Sequence, residues 1–369
     1  MAAPIQILTE RSARRFVALQ KLFYVGDPDF VAPIPVLEAW QCDPERSPFA
    51  AHGKAQLWVA RRDGRVVGRI SAARDHLHDD FHGDKIGFFG HFEASDEAVA
   101  HALLEQASAW LRNTGATAVR GPIDFSTNYK VGLLVSGEPG LPGLMMPHNP
   151  PTYAGWLESF SLHKAKDVLA LLVRRDVLHR ERMQRLSARL RERTGAVMRL
   201  LDLSRFWQEI EVLWQLYNAI WEKNWGFAPM SREEFRRQAK DLKGILRTEL
   251  AIIAEIDGKP TGFVIGLPDI TATLRRCQGS LLPLGWWHLL KARTKAKGMR
   301  VLTLGVLPQY RKSGLDALLL QEIVDRAYVL GIETCECSWI LEDNELMLRP
   351  LLALGAKEWR RYRVYERPL

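Results

Sequence analysis

Two stretches of the chain follow one plan: Leu57 to Ala73 reads LWVARRDGRVVGRISAA, and Leu250 to Gly266 reads LAIIAEIDGKPTGFVIG. Each is a pair of apolar runs broken by Asp-Gly, at Asp63-Gly64 and at Asp257-Gly258. A two-residue hairpin turn needs positive φ at both positions, which Asp tolerates and Gly adopts freely, so each stretch predicts a β-hairpin. A second match follows. Glu97 to Thr114 and Leu315 to Leu330 both place apolar residues at helical spacing, and each stops at a glycine, Gly115 or Gly331. Each then runs through a short strand to an asparagine thirteen residues past that glycine, Asn128 or Asn344. The paired helices lie further apart than the paired hairpins by about twenty residues, so the second copy carries an insertion, which the sequence puts at Ser280 to Gly298. A repeated unit of hairpin, strand, helix and strand predicts an α/β (α+β mixed sheet) fold in two tandem domains. The expected division is 1–173 and 174–369, the second opening with a helical lead-in over 174–249 that includes WQLYNAIWEKNWGF.

At 369 residues the chain is long enough for two cores, and its 47% hydrophobic and 25% charged content is that of a globular protein. The formal charge of +8 favours an anionic partner without choosing among phosphorylated cofactor, nucleic acid and acidic membrane. Part of it sits between Arg174 and Arg193, where Arg182, Arg185, Arg189 and Arg193 recur at helical spacing, with Arg180 and Arg191 nearby; a solvated linker helix is the expectation. Aromatics interleaved with that run would have pointed to nucleic acid, and it has none, so no nucleic-acid partner is assigned. Four irregularly placed cysteines predict reduced thiols. The first residues lack the apolar core of a signal peptide, and no window reaches the length of a spanning helix, so the expected location is cytoplasmic.

The sharpest chemical signal is VLPQYRKSGLDALLL, Val306 to Leu320. A strand ending at Val306, a basic turn and a helix opening near Leu315 make an anion cradle, because successive backbone N–H groups and the helix dipole face outward there. The residues expected at the site of a phosphorylated cofactor are Val306, Arg311, Lys312, Ser313, Gly314, Leu315 and Asp316, the last a carboxylate that favours the helix start but would repel phosphate unless turned away. The corresponding passage of the first copy, EASDEAVAHALL, has neither a basic pair nor a glycine, so that copy is expected to have lost the site. His76, His78, Asp79 and His82 have zinc-like spacing, but such loops are common on surfaces and no metal is assigned.

The turn resembles motif A of the GNAT acetyltransferase superfamily, Gln/Arg-x-x-Gly-x-Gly/Ala, which grips the pyrophosphate of CoA. Arg311 and Gly314 match its first two fixed positions, while Asp316 stands where Gly or Ala is usual. Downstream, Asn344 and Gly355 fit the superfamily's spacing, and Leu351 occupies the position of the tyrosine that protonates the departing thiolate in many relatives. The whole chain is similar to a tandem GNAT-like bacterial family that includes the bacterial ceramide synthases. The likeness lies in FFGHFE (88–93), GPIDFSTN (121–128), HNPPTY (148–153), NWGFAPM (224–230), PQYRKSGLDALL (308–319) and SWILEDN (338–344). It implies an acyl-CoA-dependent N-acyltransferase, with acyl-CoA as donor, Asn344 at the cofactor site, and the amine of a sphingoid base such as 3-oxosphinganine as acceptor.

Direct attack by an amine needs a base and oxyanion donors. By position, Glu342 and Asp343 are the base candidates, N–H groups near Gly305 and Val306 the oxyanion donors, and Tyr153 or His148 shape the acceptor pocket from the first half. The insertion sets Leu281, Leu282, Leu284, Trp286, Trp287, Leu289 and Leu290 ahead of Lys291, Arg293, Lys295 and Lys297. That is the pattern of a segment lying on an anionic leaflet, so peripheral contact with the inner membrane is expected. Three other readings stay open: an N-acetyltransferase acting on a small molecule or protein, an aminoacyl-tRNA-dependent transferase, and a non-catalytic binder of lipid or CoA.

Overall fold

The computed structural model describes residues 3–178 and 180–369. The first half contains strands β1 (Gln6–Thr9), β2 (Gly53–Arg62), β3 (Arg65–Asp75), β4 (Ile86–Ala94), β5 (Ala118–Gly121), β6 (Leu133–Gly137) and β7 (His163–Arg174). Its helices are α1 (Ala13–Ala18), α2 (Pro35–Glu38), α3 (His76–His82), α4 (Glu97–Asn113) and α5 (Thr152–Ser159). The second half opens with α6 (Arg180–Thr194), β8 (Val197–Leu200), α7 (Phe206–Trp221) and α8 (Arg232–Leu242). It continues through β9 (Ala251–Ile256), β10 (Lys259–Pro268), α9 (Thr271–Cys277), α10 (Gly285–Lys295) and β11 (Gly298–Val306). It closes with α11 (Leu315–Val329), β12 (Thr334–Leu341), α12 (Glu345–Ala353) and β13 (Lys357–Pro368).

Both predicted hairpins form, β2–β3 and β9–β10. Their turns have φ of 51° and 73° at Asp63 and Gly64, and 51° and 70° at Asp257 and Gly258, the mirror-image geometry a right-twisted hairpin demands. Both predicted helices form as well. In α11, Leu315, Leu318, Leu319 and Ile323 make one fully buried stripe, each side chain contributing roughly 1.5–3 kcal/mol. In α4, Val99, Leu103, Ala107 and Leu111 do the same. Strand β10 is buried without interruption from Thr261 to Pro268, because α11 covers one face and α7 the other.

The strands form one continuous sheet in the order β1-β2-β3-β4-β5-β13-β7-β12-β11-β10-β9-β8, with β6 also on β13. The last strand of each half therefore lies beyond its own half. Strand β13 pairs with β5, setting Tyr365 opposite Gly121, and β7 pairs with β12, setting Arg174 opposite Thr334. The two exchanged strands pair with each other at the centre, from Lys357↔Leu172 to Glu366↔His163. A buried cluster adds a second tie between the halves. His52 of the first half bonds Asp75 Oδ1 at 3.0 Å and Glu234 Oε2 of α8 at 2.9 Å, and Tyr129 OH donates to Glu234 Oε1 at 2.7 Å. Burial disfavours a charged imidazole there, yet the two carboxylates lift its pKa to about 9.

Helix α6 is not the solvated linker its arginines suggest. It docks along α11, with Leu190 in the core and Arg191 paired to Glu322 at 2.6 Å. Of its arginines, Arg180 and Arg182 have side chains outside the described residues.

Candidate active site

The donor turn follows β11. Pro308–Tyr310 make a single 3-10 turn, Lys312 and Gly314 take φ of 66° and 90°, and α11 begins. Glycine is required at 314 by its dihedral and by space, since a Cβ would sit 2.7 Å from Leu190 Cδ2 of α6. The α11 N-cap, Gly314, offers no side-chain cap, leaving first-turn N–H groups available to an anion; Ser313 Oγ accepts only from Leu315 N–H, at 3.2 Å. Arg193 of α6 reaches the Ser313 carbonyl at 2.5 Å, a cation the sequence did not place here. Lys312 is exposed. Arg311 departs from expectation: its guanidinium donates to the Ile220 carbonyl of α7 at 2.6 Å, a favourable seat at a helix C-terminus that anchors the turn. Asp316 lies in the first turn of α11, partly exposed. The first half differs at the matching point. There Asp96 caps α4 by accepting from Val99 N–H at 3.1 Å and pairs with Arg62, so a carboxylate occupies the anion position.

Beside the turn the sheet opens. Parallel pairing of β11 with β12 runs from Gly298↔Thr334 to Val301↔Cys337 and stops, though both strands continue. Leu307 N–H bonds the Thr261 carbonyl on β10, so by alternation along the ladder Gly305 also faces β10, whereas Val306 and Leu304 turn their N–H groups into the opening. Of the two residues expected to donate to an oxyanion, Val306 is thus oriented for it and Gly305 is not. Two buried donors at the same opening, Thr303 Oγ1 and Trp339 Nε1, have no protein partner among the described residues. At the base of the opening, buried Arg300 donates to Ser338 Oγ at 2.9 Å and to the Leu144 carbonyl at 2.5 Å.

The opening leads into a cavity of about 670 Å³ walled by both halves. Leu213, Phe263, Leu302 and Ile340 line the second-half end, and Phe92, Val131 and Leu133 the first-half end, so the surface is largely apolar. The rim includes Leu37 of α2, Leu274 of α9 and Leu289 of α10. Helix α10, inside the predicted insertion, turns Leu289 inward and leaves Trp286 and Trp287 about half exposed, next to exposed Leu282, Leu284 and Leu290. No helix among the described residues is long and apolar enough to cross a membrane.

The structure brings His148 and Asn344 to the cavity and leaves Glu342, Asp343 and Tyr153 outside its lining. Glu342 accepts from Lys164 Nζ at 2.6 Å and Asp167 N–H at 3.0 Å; burial works against its charge, but these two partners hold it below the usual carboxylate range. Asp343 is bonded to Lys166 at 2.8 Å, is held low by it, and is 64% exposed. Neither carboxylate lines the cavity, so neither is placed as the base. Asn344 does line it and caps α12, accepting from Met347 N–H at 3.3 Å. Leu351 is buried in the second-half core. His148 lines the cavity, with Nε2 on Asp27 Oδ2 at 2.8 Å. Tyr153 does not reach across to the second half: it is buried, with its OH 3.0 Å from Glu93 Oε2.

Glu93 is the residue that sequence reasoning passed over, although a carboxylate ending the apolar strand FFGHFE was a signal. It is 2% exposed yet lines the cavity, and receives Tyr24 OH on Oε2 at 2.9 Å and Gln20 Nε2 on Oε1 at 2.8 Å. Burial pushes its pKa up to about 7, against the pull of Arg69 and of the donated hydrogen bonds. The histidine-rich segment at 76–82 is α3. There His78, Asp79 and Asp84 bring ligand atoms within 4.8 Å of one another, with Arg74 bonded to Asp79.

No family model matches the sequence. The chain is 36% identical over 375 residues to the bacterial ceramide synthase of Caulobacter vibrioides (strain NA1000 / CB15N), covering 99% of this chain and 97% of that one. It is 34% identical over 371 residues to protein YghO of Escherichia coli (strain K12), covering 98% and 94%. Among solved structures it resembles a tandem GNAT protein from the clavulanic acid biosynthesis pathway, with a TM-score of 0.59 at 14% identity over 99% of this chain and 98% of that one. A GCN5-related N-acetyltransferase from Sphaerobacter thermophilus gives 0.53 at 12% identity over 99% and 96%.

Proposed function

This chain belongs to the family that includes the bacterial ceramide synthase of Caulobacter vibrioides and is an N-acyltransferase of the tandem GNAT fold; we propose that it moves a long fatty acyl group from acyl-CoA to the amine of a sphingoid base such as 3-oxosphinganine. The observation that carries this reading is the apolar cavity of about 670 Å³ opening where β11 and β12 part. A short acyl group has no use for such a volume, whereas apolar burial of a long chain gains about 0.8 kcal/mol per methylene.

The donor lies along β11 in this reading. Its pyrophosphate sits on the uncapped start of α11 with Lys312 and Arg193 nearby, its thioester carbonyl meets the N–H groups of Leu304 and Val306, and its chain enters the cavity. The first half, its helix start filled by Asp96, contributes the acceptor's side of the cavity and no second CoA site. The exposed tryptophans of α10 beside the rim support delivery of lipid from an anionic leaflet. Purified protein given mixed acyl-CoAs and mixed amines should yield N-acyl sphingoid bases by mass spectrometry. Acylation of short soluble amines by acetyl-CoA alone would overturn this reading in favour of an ordinary acetyltransferase.

A further inference from the structure

Tyr24 OH lies 2.9 Å from Glu93 Oε2 and also 2.9 Å from the His148 carbonyl. Tyr153 OH lies 3.0 Å from the same Oε2 and 3.2 Å from the Ala94 carbonyl. A phenol has one proton to give, so each hydroxyl has a choice of acceptor. With Glu93 ionised, both phenols donate to Oε2. With Glu93 protonated, its own hydroxyl donates to Tyr24 and the Tyr24 proton turns to His148. Both protonation states are hydrogen-bonded without any heavy atom moving, so neither leaves a buried polar group unsatisfied.

We propose that Glu93 is the group that takes the proton from the acceptor amine, an assignment that rests on the N-acyltransferase reading above. An alkylamine carries its proton at neutral pH and is then no nucleophile. Loss of one proton to Glu93 frees the nitrogen lone pair. The new N–C bond forms at the thioester carbonyl, and the C–S bond breaks with its electron pair going to sulfur. The second nitrogen-bound proton goes to the departing thiolate, and Glu93 returns its own proton to solvent.

Three observations support the placement. Glu93 belongs to the cavity wall despite its burial. The segment 144–148 lines the cavity and links the Arg300 side to the Glu93 side: the Leu144 carbonyl is bound by Arg300, Met146 Sδ lies 3.4 Å from Ser338 Oγ, and the His148 carbonyl meets Tyr24. The groups facing Glu93 also suit a carboxyl near neutrality. Arg69 of β3 stands 3.6 Å away as its one close cation among the described residues, Gln20 and the two phenols are neutral donors, and His91, held by burial at a pKa of about 4, carries no charge at neutral pH. Asp27, bonded to His148 Nε2, lies beyond Tyr24.

The test uses the full chain with a long-chain acyl-CoA and a sphingoid base, following amide by mass spectrometry and thiol release by a colorimetric reagent across pH 5.5 to 9. The wild-type kcat/KM should rise with pH and level off near pH 7. Glu93→Gln should lose a hundredfold or more and lose that break. Glu93→Asp should keep a break and recover part of the rate, and acyl-CoA binding by calorimetry should be unchanged in both variants. A Glu93→Gln enzyme that keeps the break, or that loses acyl-CoA affinity and melting temperature along with rate, overturns the assignment and makes Glu93 a structural partner of Arg69. Wild-type protein that forms no amide from any long-chain amine overturns the N-acyltransferase reading itself, a result distinguishable from the others because it needs no variant.

Discussion

The donor turn separates residues that shape a site from residues that touch what it holds. Gly314 and Arg311 are of the first kind: one permits a left-handed bend under Leu190, the other ties the bend to α7. Gly314→Ala should cost about 1–3 kcal/mol from the dihedral and the close contact, read as a lower melting temperature. In the function proposed above, Lys312 and Arg193 are of the second kind. Lys312→Ala with Arg193→Ala should weaken acyl-CoA binding in calorimetry by several kcal/mol, as charge-assisted phosphate contacts are each worth about 1.5–3 kcal/mol; unchanged affinity would move the donor elsewhere. The sequence showed Arg311, Lys312 and Gly314 because they are consecutive. It hid Arg193, over a hundred residues upstream, and it overvalued Glu342 and Asp343, whose lysine partners are on β7. Proximity along the chain reveals a turn, whereas the charge state of a carboxylate depends on neighbours that only folding supplies.

Elements with strong local periodicity were legible: the two Asp-Gly hairpins, α4 and α11. The insertion was legible as a composition, and the structure divides its faces, Leu289 toward the cavity and Trp286 and Trp287 toward solvent. If α10 serves lipid entry, Trp286→Ser with Trp287→Ser should reduce sedimentation with anionic vesicles and turnover of a long-chain acceptor delivered in them. The melting temperature should barely change, because these rings are already half exposed. A large loss of stability with unaltered vesicle binding would show that they serve the fold. The docking of α6 escaped the sequence reading for the converse reason: its arginines dominate the helix and mask the apolar contact that Leu190 makes with the core.

Across the whole molecule, duplication was readable and the exchange of last strands was not, since β7 and β13 look alike in pattern whichever half they join. The halves are held by that exchange and by the His52–Glu234 cluster. With a folded pKa of about 9 against an unfolded value near 6.5, His52 stabilises fully below about pH 6.5, and this contribution is lost as pH rises through 9. The wild-type melting temperature should therefore fall between pH 6.5 and 9.5, and the fall should be shallower in His52→Asn. The position of β13 bears on how the protein is made. Among the described residues, the edge of β5 away from β4 pairs with residues 357–368, so during synthesis the amino-terminal half waits with an unpaired strand edge until that distant segment emerges from the ribosome. A protein joined in this way gains little from vectorial folding. Its nascent chains should lean on holding chaperones, and ribosome-bound fragments ending before residue 357 should be cut by protease at sites the finished molecule protects.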